Sequence, residues 1–363
     1  MKNIFNKNCQ QKNRMLFILK KRNNYGDLPG VYGYSISSGL FNSANFMKTM
    51  MEENGYETKI VEVVDNNGID KEVHLFKPDY VIIEALWVVP EKFEILHKLH
   101  PNVKWIIRIH SETPFLSNEG VGMGWISDYI KYDNVYLSFN SKRTNKEFTE
   151  ILSEKIGKNI SDRVIYLPNY YKLEPSEEKC CSDACKNTDE IHIGCFGAIR
   201  PMKNQLLQAI AAMRFGNLMK KKVFFHINSK RIENKGDNVL KNLKNLFNDS
   251  KHELVEHDWL DRKDFLELLS KMDIGLQVSF SETFNIVTAD MVSKDVPVVV
   301  SKEVEWMFPL FYANTTSSKA MVIKMFIAWI TGKIGMQKIN RLGLMISAKH
   351  AKDTWLGYFN RFL

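Results

Sequence analysis

Short apolar runs alternate with amphipathic segments along most of the chain, and this alternation constrains the fold more than any other feature. In the first half the apolar runs cover residues 15–19, 58–63, 80–84, 105–109 and 135–139. Helical patterns at 91–100 and 141–155 separate some of them. Strands that are buried on both faces and connected through helices form parallel sheets. The first half therefore predicts a doubly wound α/β domain.

A polar stretch at 172–190, rich in Glu, Lys, Ser and Asp, interrupts this alternation and is typical of a linker. A second series of strand patterns follows at 191–196, 222–227, 253–255, 274–278 and 296–300. Helical patterns between them cover 205–215, 238–247, 262–271 and 284–293. We therefore predict two Rossmann-like domains that face a central cleft, because the chain is longer than one ordinary domain. Their expected limits are 1–168 and 191–335, with a linker at 169–190 and a helical tail at 336–363 that can pack back on the first domain.

Composition narrows the partners only slightly. Lys and Arg number 50 against 42 Asp and Glu, giving a formal net charge of +8 without a continuous block of like charge. This excess is compatible with DNA, nucleotides or an anionic membrane surface. Cys180, Cys181 and Cys185 lie close together, but no paired Cys-x-x-Cys or His-x-x-x-His accompanies them. A polar loop with reduced thiols explains them better than a zinc site.

The apolar runs are short for targeting or for crossing a membrane. The run at 15–19 is too short for a signal peptide. The run at 321–330 is interrupted by Lys324 and is about half a membrane span. It is either an ordinary packed helix or an amphipathic helix on a membrane surface. We expect a cytoplasmic protein without integral membrane association.

The turn after the first strand of the second domain carries a candidate phosphate site. It runs from Gly197 to Asn204 as Gly-Ala-Ile-Arg-Pro-Met-Lys-Asn. A Gly turn that opens a helix presents backbone N–H groups and the positive end of the helix dipole to an anion. Arg200 can add a bidentate fork and Lys203 a point charge to a diphosphate. The alternative is a plain strand-to-helix turn.

Two carboxylates, Glu282 and Asp290, lie eight positions apart after the strand pattern at 274–278. Glu282 falls at the carboxyl end of that strand, and Asp290 lies about two helical turns on. Ligands of open α/β sheets bind at this end of the strands. A carboxylate there can accept hydrogen bonds from two vicinal hydroxyls of a sugar or ribose. An ordinary helix start with Glu in its first turn gives the same pattern.

The stretch from Glu282 to the strand at 296–300 resembles the nucleotide-sugar site of GT-B glycosyltransferases, particularly retaining family four. In that family seven residues separate two Glu that precede a Pro-Val-Val strand; here the same spacing separates Glu282 from Asp290. The family turn reads Gly-Arg, four residues, Lys, so its Lys corresponds to Lys203 and its Arg to Ala198. The Gly usual before the Pro is absent. The resemblance implies that Glu282 orients the transferred sugar, that Asp290 holds the ribose, and that Lys203 binds the diphosphate.

The resemblance extends to residues around this site. His110 ends a strand of the first domain, where retaining GT-B enzymes frequently place a His beside the transferring sugar; a capping or core His is the alternative. The loop before the first helix resembles the acceptor-side Gly loop, with Gly39 and Asn42, and Glu112 is a further candidate for acceptor contact. The remaining predicted donor contacts follow strands of the second domain: Gly197, Asn228, Ser281, Thr283, Phe284 and Asn285.

We therefore predict a glycosyltransferase that moves a sugar from a nucleotide-sugar donor, a UDP-sugar in the first place, to a hydroxyl acceptor. His110 and Glu282 are the expected catalytic residues. No metal or other cofactor is required, because cationic side chains and a helix N-terminus can stabilise the leaving diphosphate. Retention of configuration is implied by the resemblance alone.

The acceptor stays open. The segments 83–90 and 108–112 resemble glycosyltransferases of large tailed bacteriophages, which implies double-stranded DNA with hydroxymethylated pyrimidines as one acceptor, in the host cytoplasm. A surface polysaccharide or a lipid-linked acceptor is the alternative within the class. A GT-B-like epimerase or phosphorylase and a non-catalytic nucleotide- or DNA-binding protein are alternatives outside it.

Overall fold

The computed structural model describes residues 13–21, 39–118, 120–174 and 189–362. In this part of the chain there are two parallel sheets, of six and five strands, each flanked by helices. The predicted architecture of two Rossmann-like halves is therefore confirmed. The predictions for Cys180, Cys181 and Cys185, and for most of the Gly-rich loop before Gly39, lie outside the described residues.

The first sheet has the strand order β2-β1-β3-β4-β5-β6 in the described residues, and every pair is parallel. Its strands are β1 (Arg14–Lys20), β2 (Glu57–Val63), β3 (Tyr80–Glu84), β4 (Lys104–Ile109), β5 (Val135–Phe139) and β6 (Val164–Tyr166). The helices are α1 (Gly39–Glu53), α2 (Gly68–Phe76), α3 (Phe93–Leu99), α4 (Thr113–Leu116), α5 (Gly122–Tyr129) and α6 (Lys142–Ile156).

The second sheet has the order β11-β10-β7-β8-β9, also parallel throughout its described strands. Its strands are β7 (Glu190–Gly194), β8 (Lys222–Asn228), β9 (Glu253–His257), β10 (Ile274–Gln277) and β11 (Val298–Val300). The helices are α7 (Gln205–Met219), α8 (Gly236–Phe247), α9 (Arg262–Ser270), α10 (Ile286–Ser293), α11 (Ser318–Lys333) and α12 (Ile339–Phe359). Because all strands are parallel, their carboxyl ends share one edge, which faces the first half.

Local sequence signals set several helix ends. Ser141 caps α6 by accepting a hydrogen bond from Thr144 N, and Gly157 ends that helix in the left-handed conformation at φ 75°. Asp261 caps α9 by accepting from Asp264 N at 2.9 Å. Helices α2 and α5 were not predicted, because short helices between apolar strands carry little periodic signal.

Helix α12 contacts both halves of the molecule. Near its start Gly343 lies directly against the carbonyl oxygen of Trp306, so that any side chain there would clash. Near its end Trp355 and Phe359 are fully buried against residues of the first sheet, including Phe17. The indole N–H of Trp355 also donates to the carbonyl of Pro168 at 2.8 Å. In the described residues no helix is both long enough and apolar enough to cross a membrane.

Candidate functional site

A cavity of about 200 Å³ opens where the carboxyl ends of the second sheet face α1 of the first half. Loops after parallel strands meet there, as ligand sites of open α/β sheets do. Seven predicted site residues line it: Gly39, Asn42, Gly197, Arg200, Lys203, Asn228 and Asp290. The other residues of the lining are Leu40, Ala198, Arg231, Glu233, Trp259, Leu260, Arg262, Phe265, Ile286 and Val287.

A second cavity, of about 250 Å³, lies elsewhere on the first half. Its lining includes Pro78 and Pro101, which precede β3 and β4 and so lie at the amino ends of those strands. None of the predicted site residues is part of it. The position of the strand ends favours the cleft.

The Gly197 turn is held by the neighbouring strand. Gly197 adopts φ 112°, a conformation that favours glycine, and its N–H donates to Oδ1 of Asn228 at 3.0 Å. The amide of Asn228 in turn donates to the carbonyl of Asp258 at 3.3 Å. Asn228 therefore fixes the geometry of the turn and also lines the cavity.

Lys203 and Glu282 form an ion pair between the two loops that the sequence singled out. Nζ of Lys203 lies 2.5 Å from Oε1 of Glu282, and both side chains are almost buried. Phe280 N donates to the carbonyl of Met202 at 2.9 Å, so the same loops are also joined by their backbones. The structure thus brings together two residues 79 positions apart that the sequence assigned to one site.

Arg200 lies beside a carboxylate that the sequence analysis missed. Its guanidinium pairs with Glu233 at 3.3 Å and stacks over the ring of Phe115 in the first half at 4.7 Å. Glu233 also pairs with Arg231 at 2.7 Å, and Arg231 stacks over Trp259 at 4.8 Å. Glu233 thus bridges two cations of the cavity wall.

Asp290 takes part in a buried cluster with Arg262 and Tyr171. Its Oδ1 lies 2.8 Å from Nη1 of Arg262 and accepts from the Tyr171 hydroxyl at 2.8 Å. Arg262 also lies over the ring of Phe46 at 4.9 Å. Burial raises the pKa of the Asp290 carboxyl, while Arg262 and the hydroxyl of Tyr171 oppose that rise.

His110 is held by two side chains of the first half. Its Nε2 lies 2.6 Å from Oε2 of Glu84, and its Nδ1 lies 3.3 Å from the amide nitrogen of Asn140. Asn140 also donates to the hydroxyl of Thr283 at 3.1 Å, so His110 is linked to the residue next to Glu282. Burial and the charge of Arg108 lower the pKa of His110, although Glu84 opposes this. The ring is therefore neutral at pH 7, with its proton on the nitrogen that faces Glu84.

Glu84 is itself a buried anion that the sequence analysis did not assign. Burial by itself would raise its pKa, but Arg108 and His110 together lower it. Nη1 of Arg108 donates to both carboxylate oxygens, at 3.2 and 3.1 Å. The guanidinium thereby compensates the charge that orients His110.

No protein-family model matches the chain, and no curated protein matches it either. Several solved structures do. A UDP-forming α,α-trehalose-phosphate synthase from Burkholderia vietnamiensis has a TM-score of 0.69 at 9% identity, over 96% of each chain. A trehalose-6-phosphate protein from E. coli bound with UDP-2-fluoro glucose has a TM-score of 0.66 at 11% identity, over 95% of this chain and 98% of that one. A trehalose-6-phosphate synthase studied with bisubstrate glycomimetics for glycosyltransfer with retention has a TM-score of 0.62 at 11% identity, over 82% and 78%.

The chain has the GT-B fold. The likeness to the first two structures covers 95% or more of every chain, so it includes both parallel sheets of this one. At such low identities the likeness establishes the fold and leaves the reaction to be argued from the site.

Glu112 lies outside the lining of the GT-B cleft, in a contact between the two halves. It is buried, accepts from the hydroxyl of Thr144 at 2.5 Å and pairs with Arg143 at 3.0 Å. Arg143 also pairs with Glu303 of the second half at 2.8 Å. In this structure Glu112 therefore anchors a bridge across the cleft, whereas its expected acceptor contact stays a prediction.

The remaining predicted donor residues surround the start of α10 without lining the cavity. Asn285 adopts φ 58° and caps α10 by accepting from Thr288 N at 2.9 Å. The ring of Phe284 packs near Trp306 at 5.7 Å, and the carbonyl of Phe284 accepts from the Trp306 indole. Ser281 is buried. Their packing fixes the loop that carries Glu282.

Residues missed by sequence reasoning complete the cleft. Arg262, Glu233 and Trp259 line it, but none of them belongs to a recognisable motif: Glu233 and Trp259 lie in loops, and Arg262 begins α9. The only available signal was position, since each follows a strand of the second sheet at its carboxyl end. No group of three His, Cys, Asp or Glu suited to a metal ion occurs in residues 13–21, 39–118, 120–174 and 189–362.

Proposed function

We propose that this chain is a glycosyltransferase that uses a nucleotide-sugar donor, retains configuration at the transferred carbon and requires no metal ion. One observation carries the proposal: within a GT-B fold, the cavity at the strand ends is lined by Arg200, Lys203, Arg231 and Arg262. The bond between sugar and diphosphate breaks during transfer, and negative charge then develops on the leaving group. Fixed cations at that point stabilise the charge.

The lining suggests how the donor lies. The diphosphate takes the Gly197 turn beside the ammonium group of Lys203, since both residues line the cavity. Trp259, Leu260 and Phe265 form the apolar end of the cavity and suit a nucleobase. UDP is the proposed nucleotide, supported by the UDP-forming and UDP-2-fluoro glucose structures that this chain resembles.

The Lys203–Glu282 pair lies where the sugar meets the diphosphate in this arrangement. Glu282 accepts hydrogen bonds from hydroxyls of the sugar, and Lys203 shifts toward the diphosphate as its charge grows. The bond from the anomeric carbon to the phosphate oxygen breaks, the acceptor oxygen bonds to that carbon, and the acceptor proton passes to the diphosphate. Retention is supported by the similar synthase studied for glycosyltransfer with retention.

His110 plays a positioning part in this proposal. Both of its ring nitrogens have partners within the first half, Glu84 and Asn140. A direct contact with a sugar hydroxyl therefore requires Asn140 to release Nδ1. Because Asn140 also donates to Thr283, that release would also change a contact of the loop that carries Glu282.

The acceptor is proposed only as a hydroxyl compound. The similar trehalose-phosphate synthases make a sugar phosphate a reasonable first choice. Hydroxymethylated DNA remains the proposal from the phage resemblance, and it would add a strongly salt-dependent affinity for duplex.

The test is release of nucleoside diphosphate from a panel of nucleotide sugars, beginning with UDP-glucose. Each donor is offered with a hexose phosphate, with duplex DNA containing hydroxymethylcytosine, or with a lipid-linked acceptor. We expect one acceptor to stimulate release, and Lys203→Ala and Glu282→Ala to abolish it. Lys222→Ala is the matched control, because Lys222 forms an exposed pair with Glu253 on the same domain.

Each alternative gives a different result in the same assay. An epimerase would yield a new sugar nucleotide without acceptor, and a non-catalytic protein would bind donor without turnover. Absent or salt-insensitive binding to duplex would remove the DNA acceptor. Full activity in both site variants would show that the reaction occurs elsewhere.

A further inference from the structure

One segment near the end of the chain carries basic residues and no acidic residue. Residues 306–352 contain seven Lys and Arg and not one Asp or Glu, whereas the rest of the chain has 43 basic and 42 acidic residues. Residues 1–26 likewise contain seven Lys and Arg and no Asp or Glu, and the chain outside these two segments has 36 basic and 42 acidic residues. Residues 306–352 include α11, its connection to α12, and α12 as far as Lys352.

The same segment exposes large apolar side chains where α11 turns into α12. We call this surface the α11–α12 corner; its apolar members are Ile330, Ile334, Met336, Leu342, Met345 and Ile346. Ile334 is 70% exposed and Ile346 is 60% exposed. They lie within 17 residues of one another along the chain, on either side of a short 3-10 turn. Single exposed apolar residues are ordinary, but a group of this size marks an interaction site.

These side chains have no part in the core. Helix α11 packs through Met321, Val322, Met325 and Ala328, and α12 through Leu344, Ala351, Trp355 and Phe359. Leu342, Met345, Ile346 and Lys349 follow one another at helical spacing on the outer stripe of α12. Lys333, Lys338 and Lys349 are exposed around the corner. An apolar centre is thus surrounded by positive charge.

We propose that the α11–α12 corner docks the protein on a membrane surface that contains anionic lipid. Isoleucine, leucine and methionine enter the boundary between headgroups and acyl chains, and the lysines meet the headgroup charge. A second copy fits poorly, because an isologous interface would oppose Lys333, Lys338 and Lys349 of one copy to the same lysines of the other. Nucleic acid would satisfy the lysines but would leave the isoleucines without an apolar partner. The proposal is independent of the reaction in the cleft.

Flotation with liposomes tests it, comparing phosphatidylcholine alone with phosphatidylcholine that contains phosphatidylglycerol. We expect the full chain to float only with the anionic vesicles, and less as ionic strength rises. Ile334→Ser/Ile346→Ser should weaken binding about tenfold or more. Lys333→Gln/Lys338→Gln/Lys349→Gln should weaken it on the order of a hundredfold, at about fivefold per charge.

Two control variants match these changes at other exposed sites. Leu75→Ser/Leu218→Ser alters apolar residues of similar exposure, 62% and 65%. Lys131→Gln/Lys146→Gln removes exposed lysines from the turn after α5 and from α6. Both should float as the wild type does, and all variants should keep the wild-type melting temperature because they alter exposed side chains.

Three outcomes would overturn the proposal. The first is absence of flotation with anionic vesicles at low ionic strength. The second is a dimer by sedimentation that the serine variant converts to a monomer, without vesicle binding, which would assign the surface to a second copy. The third is binding to duplex DNA that the glutamine variant abolishes and the serine variant keeps, without vesicle binding.

Discussion

Nζ of Lys203 lies 2.5 Å from Oε1 of Glu282. This ion pair joins the residue assigned to the diphosphate of the donor to the residue assigned to its sugar. The diphosphate of a donor would compete with Glu282 for the ammonium group. We predict that Lys203→Ala lowers kcat/KM on the order of a hundredfold or more, since it removes a charge that matters most in the transition state. Glu282→Gln, which keeps the shape, should lower kcat more than it raises KM. Steady-state kinetics of both variants, with Lys222→Ala as the control, measure kcat and KM. A higher KM with an unchanged kcat in both variants would contradict this prediction.

The buried Asp290 forms an ion pair with Arg262, whose side chain is 26% exposed, beside the ribose end of the proposed site. We predict that Asp290→Asn lowers the free energy of unfolding by about 3 kcal/mol, because it leaves a guanidinium with no compensating charge. In a double-mutant cycle with Arg262→Gln, the coupling should reach about 2 kcal/mol. The exposed pair of Lys222 and Glu253 should give less than about 1 kcal/mol in urea denaturation. Equal coupling for the two pairs would refute this account of Asp290.

The sequence predicted those parts of the site whose positions depend on residues close together in the chain. The Gly197 turn must be glycine at φ 112°, and Lys203 follows it in the same short motif. Glu282 and Asp290 were found because both follow the strand at 274–278 at the edge of the sheet where ligands bind, although Glu282 lies in the loop before α10. Each of these features depends on residues close together in the chain.

Contacts between distant residues could not be foretold in the same way. Tyr171 and Asp290 are 119 positions apart, and Asn140 and Thr283 are 143 apart. The ion pair between Asp290 and Arg262 depends on how α9 packs beside α10, and no local sequence pattern predicts that packing. Glu112 is an acidic residue that follows a strand of the first half, as expected of an acceptor contact. In the structure it pairs with Arg143, which also pairs with Glu303.

That bridge leads to a prediction about closure of the two halves. Arg143 joins Glu112 of the first half to Glu303 of the second, and its loss leaves two carboxylates facing each other. We expect Arg143→Ala to weaken donor binding about fivefold, because a bridge of this partly exposed kind contributes about 1 kcal/mol. Arg143→Lys should recover part of the loss. Titration with donor checks this, and an unchanged affinity in the alanine variant would exclude a role in closure.

His226 should make the free energy of unfolding depend on pH in the acid range. It lies between His192 and His257, with ring nitrogens 2.9 and 2.8 Å apart. Burial and the two neighbouring rings lower its pKa to about 3. The unfolded chain therefore binds a proton more readily, so the free energy of unfolding should fall as pH falls from about 6.5 toward 3.

Urea denaturation over that pH range measures the slope. His226→Phe should flatten it, because phenylalanine retains the ring but has no proton to gain. His74→Gln, at an exposed position, should leave it as in the wild type. A slope that is the same in all three proteins would rule out this assignment.

The central claim is that the cavity at the carboxyl ends of the second sheet binds a nucleotide sugar through Lys203. Calorimetric titration with UDP and UDP-glucose tests it most directly, because it needs no acceptor. The account predicts saturable binding at one site, with UDP binding weakened on the order of a hundredfold in Lys203→Ala, UDP-glucose binding weakened less because its diphosphate carries less charge, and both unchanged in Lys222→Ala. Wild-type affinity in Lys203→Ala, or no binding of any nucleoside diphosphate to the wild type, would contradict it.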